Sequence, residues 1–288
     1  MTLRHLKIFV TVCETGSTTA AGEKLHIAQP SISLAISELE SYYGIKLFDR
    51  IAKRLHITEI GKSFLQYATH IVGLFEDMEK EIKNFDVTGL IRIGASITIG
   101  NNLLPKYITE FKQMHPQMDI KVIIDNSEKI QQYILSNQID IGLIEGIVHS
   151  SYIIENKFRD DELVMICGND HHFANQKNIE ISKLQSESFI LREAGSAGRE
   201  IFDSTMTSYG IKILPAWEST STQAIIRAVQ ANLGISVLPY LMVKDSLERK
   251  EISQFQLSGI RFKRNFSVIY HQNKFLTKSA KDFISLCK

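Results

Sequence analysis

Apolar residues recur at helical spacing from the first turn of the chain. Leu3, Leu6, Phe9, Val10 and Cys13 fall on one face, and Gly16 ends the run. Ser17 or Thr18 can cap a second short helix that carries Ala20, Ala21 and Leu25. After a break at His26, Ile27 and Ala28, Pro30 suits the first turn of a third helix. Its Ile32, Ile36, Leu39 and Tyr43 share a face, and Gly44 stops it. Two short helices, a tight turn and a longer helix with a polar start form the helix-turn-helix pattern. Residues 46–50 and 53–58 then predict two small strands, a wing.

Between 64 and 85 the pattern becomes a heptad seam: Phe64, Ala68, Ile71, Phe75, Met78, Ile82 and Phe85 are spaced alternately four and three apart. The segment lies between two domains with little core of its own, which favours a coiled-coil dimer helix over one lying on its own domain. After Gly89, β-rich runs at 90–94, 120–124, 139–144, 163–167, 189–191, 235–238 and 267–270 alternate with helical stretches at 103–114, 129–135, 199–209, 222–231 and 277–286. Strands interleaved with helices indicate α/β layers with buried parallel strands. Roughly 200 residues exceeds one such sheet, so two subdomains are expected. The fold class is α/β and multi-domain.

Composition narrows the function classes. The 288 residues, 44% hydrophobic and 23% charged, are those of an ordinary globular chain of about two domains. No apolar run approaches the roughly 18 residues of a membrane span, and residues 1–7 open a charged helix rather than a secretory signal. The three scattered cysteines, Cys13, Cys167 and Cys287, point to free thiols in a reducing compartment, the cytoplasm. A net charge of +1 argues against a histone-like binder of nucleic acid, while leaving room for a local basic patch.

Enzymatic motifs are missing: there is no phosphate-binding glycine loop ending in Lys-Ser/Thr, no HExxH, no paired CxxC and no GxSxG elbow. His171 and His172 are the tempting metal pair. Neighbours in an extended run face opposite ways, however, and no Cys or His sits at ligand spacing, so no metal and no cofactor are expected. The strongest chemical signal is at the start of the third helix. Gln29 can bond an adenine edge twice, and Ser31 and Ser33 can reach base or phosphate in a major groove. Lys46, Arg50, Lys53 and Arg54 in the wing supply charge for phosphates.

The stretch from Phe9 through Gly61 resembles the LysR-type transcriptional regulators. The resemblance rests on Phe9, Gly16-Ser17, Ala20-Ala21, Leu25, Gln29-Pro30-Ser31, Ser33, Leu39-Glu40, Gly44, Leu47-Phe48, Arg50, Thr58 and Gly61, and continues through the whole chain. It implies a winged helix-turn-helix DNA-binding domain over 1–61 and a dimerisation linker helix over 62–88. Residues 89–288 would form an inducer-binding domain of periplasmic-binding-protein type, with subdomain I at 89–162 and 267–288 and subdomain II at 163–266. The resemblance also implies homodimers assembling to homotetramers on promoter DNA, contact with RNA polymerase, and a small-molecule inducer. Ser17, Thr18 and Pro30 join the DNA-binding candidates. Two positions depart from the common pattern: Leu34 stands where many members have Arg, and Ala28 where they have Ser or Thr.

The family's ligand cleft lies between the two α/β subdomains. Residues 95–100, 191–199 and 219–222 are three hydroxyl-rich strand-to-helix turns at cleft positions, a setting that suits anions. The candidate ligand residues are Ser96, Thr98, Asn126, Glu145, Gly146, Arg192, Ser196, Arg199 and Ser221. Arg192 is the leading charged partner, or else pairs with Glu145 or Glu193. These turns resemble the branch of the family with regulators of cysteine and sulfite metabolism, which implies a small oxyanion or small acid. The expected function is therefore a transcriptional regulator and not an enzyme; the rival is a small-molecule-binding protein or enzyme with an N-terminal helical interaction module.

Overall fold

The structure is a computed structural model and describes residues 1–51, 54–83 and 89–288. Helices α1 (Leu3–Thr15), α2 (Thr18–Leu25) and α3 (Gln29–Tyr43) are followed by antiparallel strands β1 (Phe48–Ile51) and β2 (Arg54–Ile57) and by the long helix α4 (Glu59–Lys83). Each boundary has a local cause. Gly16 ends α1 at φ 66°, with its N–H donating to the Val12 carbonyl, and the Ser17 hydroxyl caps α2 by accepting from the Ala20 N–H. A Cβ at Gly22 would sit 2.6 Å from the Ile27 carbonyl oxygen, so only glycine permits the close α2–α3 turn.

The core of this unit gathers Leu6, Phe9, Val12, Ala21, Ile32, Leu39 and Leu47. The Phe9 ring lies 5.4 Å from Phe48 and 5.1 Å from Phe64. Phe64 and Leu65 pack on this core from α4, and Ala68 is buried within it. The heptad seam is thus divided. Its first turns serve the helix-turn-helix unit, whereas Ile71 and Met78 are each 45% exposed. Phe85 and the Ile82 side chain lie outside the described residues.

The second unit comprises β3 (Leu90–Ser96), α5 (Ile97–Asn102), α6 (Leu104–Met114), β4 (Asp119–Asp125), α7 (Ser127–Leu135), β5 (Ile141–Glu145), β6 (Ile153–Cys167), β7 (Ile190–Arg192), α8 (Ala197–Ser208), β8 (Trp217–Ser219), α9 (Thr222–Gln230), β9 (Ser236–Pro239), α10 (Tyr240–Glu248), β10 (Ser253–Phe255), β11 (Phe262–His271) and α11 (Lys278–Leu286). The main sheet runs β4-β3-β5-β11-β6-β10, with β9 also paired to β6. β3 is parallel to β4 and β5, but β11 is antiparallel to both β5 and β6. The expected parallel sheet is therefore a mixed one.

Two long strands explain the difference. Leu163, Met165 and Cys167 of β6 and Phe262 of β11 enter one core with Phe189, Phe202 and Phe255. Phe266 and Val268 of β11 enter another with Ile93, Phe111, Leu143 and Phe283. The expected subdomain limits at 162/163 and 266/267 thus fall inside strands, and the β6–β11 register shifts at Phe266/Ser267. The first two thirds of β6, from Ile153 to Glu162, was not expected as strand: its polar sequence breaks the apolar alternation, and pairing with β11 holds it extended. Among the described residues no helix is long and apolar enough to cross a membrane.

Candidate functional site

In the helix-turn-helix unit, Gln29, Pro30 and Ser31 are exposed at the start of α3. The Gln29 Nε2 amide donates to Thr18 Oγ1 at 3.2 Å and to Ser33 Oγ at 2.8 Å, so three expected DNA-contacting residues from two helices meet at one place. Ala28 offers no side-chain cap, and α3 starts instead on Pro30 in its first turn. Leu34 is 59% exposed beside this polar cluster.

The wing entry is fixed to α3 by Glu40. Its Oε1 accepts the Leu47 N–H at 2.9 Å and the Phe48 N–H at 3.3 Å, and its Oε2 accepts from Lys46 Nζ at 2.6 Å. Burial pushes the Glu40 carboxyl up, but Lys46 and the two N–H groups outweigh it and hold the group below its ordinary range. Arg50 and Arg54 lie in β1 and β2. Their side chains, and Lys53 entirely, lie outside the described residues.

In the second unit, β3 and β5 are parallel neighbours ending on the same side, which brings Ser96 and Thr98 to Glu145. The Ser96 hydroxyl donates to Glu145 Oε2, and the Thr98 hydroxyl donates to Glu145 Oε1 at 3.0 Å. Arg264, from β11, completes the group. Its Nη1 donates to Glu145 Oε1 at 3.3 Å, its Nη2 to Thr98 Oγ1 at 3.2 Å and its Nε to Asp161 Oδ2 at 2.7 Å. The cluster lies against the start of α8. A Cβ on Gly146 would come 2.7 Å from the Ala197 Cβ, and one on Gly198 would lie 3.9 Å from Arg264 Nη1. Ser196, the N-cap residue of α8, is buried, and its hydroxyl makes no capping bond. Five of the nine candidate ligand residues (Ser96, Thr98, Glu145, Gly146 and Ser196) therefore converge around Arg264.

The other four sit differently. Arg192 forks onto Glu193, at 2.8 and 2.9 Å, and reaches Thr222 Oγ1 at 3.3 Å, so of its two expected carboxylate partners it takes the adjacent one. Asn126 Nδ2 donates to Glu193 Oε1 at 3.4 Å, and the Glu128 N–H donates to the Gly195 carbonyl at 3.2 Å, tying the start of α7 to the turn before α8. Arg199 is committed to Asp203, Glu218 and the Arg192 carbonyl. Ser221 is exposed and caps α9 through the Ala224 N–H. Helix α5 has only six residues, so its dipole is small and the Ser96–Thr98 turn owes its character to Glu145.

Arg264 was missed, yet a signal existed. Phe262, Phe266 and Val268 alternate inward along β11, and Arg264 occupies the same face. A charge at that position implies a buried partner. The reading of His171 and His172 also changes. Their rings stack at 4.4 Å in a turn, and both reach Glu187, at 3.2 and 3.0 Å. His171 Nδ1 accepts the Phe173 N–H at 3.1 Å, and one ligand atom from each of His171, His172 and Glu187 lies within 4.8 Å of the others, so the two histidines meet on one side with a third possible ligand rather than facing opposite ways. Burial pushes the thiols of Cys13, Cys167 and Cys287 up to about 12, which leaves them protonated and unreactive.

Residues 3–62 match the family described as "Bacterial regulatory helix-turn-helix protein, lysR family", and residues 86–288 match "LysR substrate binding domain". The chain is 36% identical over 287 residues to the HTH-type transcriptional regulator YeiE of Escherichia coli, covering 100% of this chain and 97% of that one. It is 34% identical over 285 residues to the HTH-type transcriptional regulator CysL of Bacillus subtilis, covering 98% and 95%. Among solved structures, the Synechocystis PCC6803 CcmR regulatory domain in complex with 2-PG is 26% identical, with a TM-score of 0.64 over 69% of this chain and 96% of that one. A full-length OxyR variant from Pseudomonas aeruginosa, 20% identical, shares the fold at a TM-score of 0.66 over 100% and 93%.

Proposed function

This chain belongs to the LysR family, transcriptional regulators that bind promoter DNA and small-molecule effectors, and we propose that its effector is a small anion, a sulfur oxyanion or a small acid, held between β3, β5 and α8. The protein is a regulator and not an enzyme. The observation that carries the effector reading is the convergence of Ser96, Thr98, Glu145 and Arg264 under the first turn of α8. There the Ser196 hydroxyl and the first N–H groups of a twelve-residue helix lack helical partners. The CcmR regulatory domain, a structural relative, was solved with 2-PG, which supports a small charged ligand for this domain type.

DNA is read by Gln29, Ser31 and Ser33 at the start of α3, with Ser17, Thr18 and Pro30 beside them, and Arg50, Lys53 and Arg54 supply phosphate contacts. The exposed part of the α4 seam joins two copies into a homodimer. Dimers assemble to homotetramers that contact RNA polymerase in the cytoplasm. Asn126, Arg192, Arg199 and Ser221 contribute to the same effector site.

A calorimetric titration of the full chain with small oxyanions and carboxylic acids tests the effector reading. Ser196→Ala is expected to weaken binding of the best ligand by about 1 kcal/mol, roughly fivefold. Wild-type affinity in that variant places the ligand elsewhere.

A further inference from the structure

Two of the hydroxyls that make the effector site look suited to anions, those of Ser96 and Thr98, have already spent their protons. Ser96 and Thr98 each carry one hydroxyl hydrogen, and both donate it to Glu145. Thr98 Oγ1 also accepts from Arg264, whose guanidinium is shared between Glu145 and Asp161. The buried cluster thus holds two carboxylates against one guanidinium. Glu145 Oε1 accepts two hydrogen bonds, whereas Oε2 accepts one. A carboxylate has about four acceptor sites, so Oε2 keeps one unused. Toward a ligand, this wall of the site presents lone pairs and an excess of negative charge. The opposite wall, at the start of α8, presents donors: the Ser196 hydroxyl and the first-turn N–H groups.

Resting on the effector reading above, we infer that Glu145 selects anions that still carry a hydrogen-bond donor: a protonated oxyanion or a small hydroxy or amino acid. The ligand's donor meets Glu145 Oε2, and its charged oxygens meet Ser196 and the α8 N–H groups. A fully deprotonated oxyanion turns lone pairs toward lone pairs and is rejected. Sites built to accept a ligand's O–H or N–H discriminate strongly against analogues that lack it. The charged groups facing Glu145 are Arg264 on β11 and, through it, Asp161 on β6; β3 and α5 contribute only Ser96 and Thr98.

The test is calorimetry of the full chain with sulfate, which has no proton at neutral pH, against phosphate and sulfite, which keep one on part of the population. Sulfate is expected to bind on the order of 100-fold more weakly than the better of the other two. Binding of that ligand should also fall as rising pH removes its own last proton, a measurement that needs only the wild-type protein. In Glu145→Gln the side chain can donate, and the preference against sulfate should shrink to within about tenfold. Equal affinity for sulfate in the wild type overturns the inference but leaves an anion-sensing site standing. Binding of no anion or acid at all overturns the effector reading and this inference together.

Discussion

Arg264 donates to Glu145 at 3.3 Å from a position 119 residues further along the chain, and the two side chains are 1% and 7% exposed. The pair joins β11, which runs through both cores of the effector unit, to the end of β5. A buried ion pair contributes little net stability against an apolar replacement of both partners, but removing one partner strands a charge. Arg264→Leu is expected to lower the stability of the effector unit by about 3 kcal/mol, because Glu145 and Asp161 both lose their cation. Urea unfolding followed through Trp217, the single tryptophan, measures it. An unchanged midpoint would mean that solvent reaches these carboxylates.

Gln29 is held by Thr18 and Ser33 at the exposed start of α3, so exchanging those bonds for a base edge costs little. Gln29→Ala is expected to lose about 1–3 kcal/mol of operator affinity while affinity for random duplex stays within a few tenths. Competition binding at fixed salt compares the two. Equal losses on both duplexes would assign Gln29 to phosphate or to folding.

Ile71 lies mid-seam and 45% exposed on α4, after Phe64 and Ala68 have turned to the helix-turn-helix core. Ile71→Glu should leave the chain folded, because the side chain is not part of that core. It should dissociate the proposed dimer, because the new charge would enter the dry interface proposed for the seam. Sedimentation reads the outcome alongside circular dichroism, and a dimer that survives places the interface on another surface.

Asp140 accepts from Arg92 Nη2 at 2.6 Å and lies 2.6 Å from Lys274 Nζ. Burial pushes its carboxyl up, but the Arg92 hydrogen bond and the charges of Lys274 and Arg92 prevail and hold it below the ordinary aspartate range. A carboxyl lowered in the folded state stabilises above its unfolded pKa, and that stability is lost as pH falls through the folded value. Asp140→Asn is expected to cost about 3 kcal/mol at pH 7. The gap between variant and wild type should close on acidification below pH about 4. Chemical unfolding across pH tests both, and a gap independent of pH would assign the loss to packing.

The helix-turn-helix unit was legible because its signals are local. Gly16 and Gly44 supply left-handed turns, Ser17 a cap and Pro30 a helix start, each acting within four residues. The effector unit was legible in part: runs of Ile and Val mark strands whatever they pair with, whereas polar stretches such as the first two thirds of β6 become strand only when a neighbour is present. Ser96, Thr98, Glu145 and Gly146 converge because the parallel strands β3 and β5 deliver their ends to one place, a consequence of α/β order that a strand-helix alternation already implies.

By itself, then, the sequence determined where the chain turns, which faces are apolar and which end reads DNA, since these depend on near neighbours. Only the tertiary structure decided the use of each polar group. Arg192 forks onto adjacent Glu193 while Glu145 takes Arg264, and the Ser96 and Thr98 hydroxyls turn inward to a carboxylate. Those choices depend on long-range strand pairing, and hydrogen-bonding capacity is used up by whichever partner folding brings within about 3 Å. Residue type sets the number of donors and acceptors; the assembled fold sets which of them are left for a ligand.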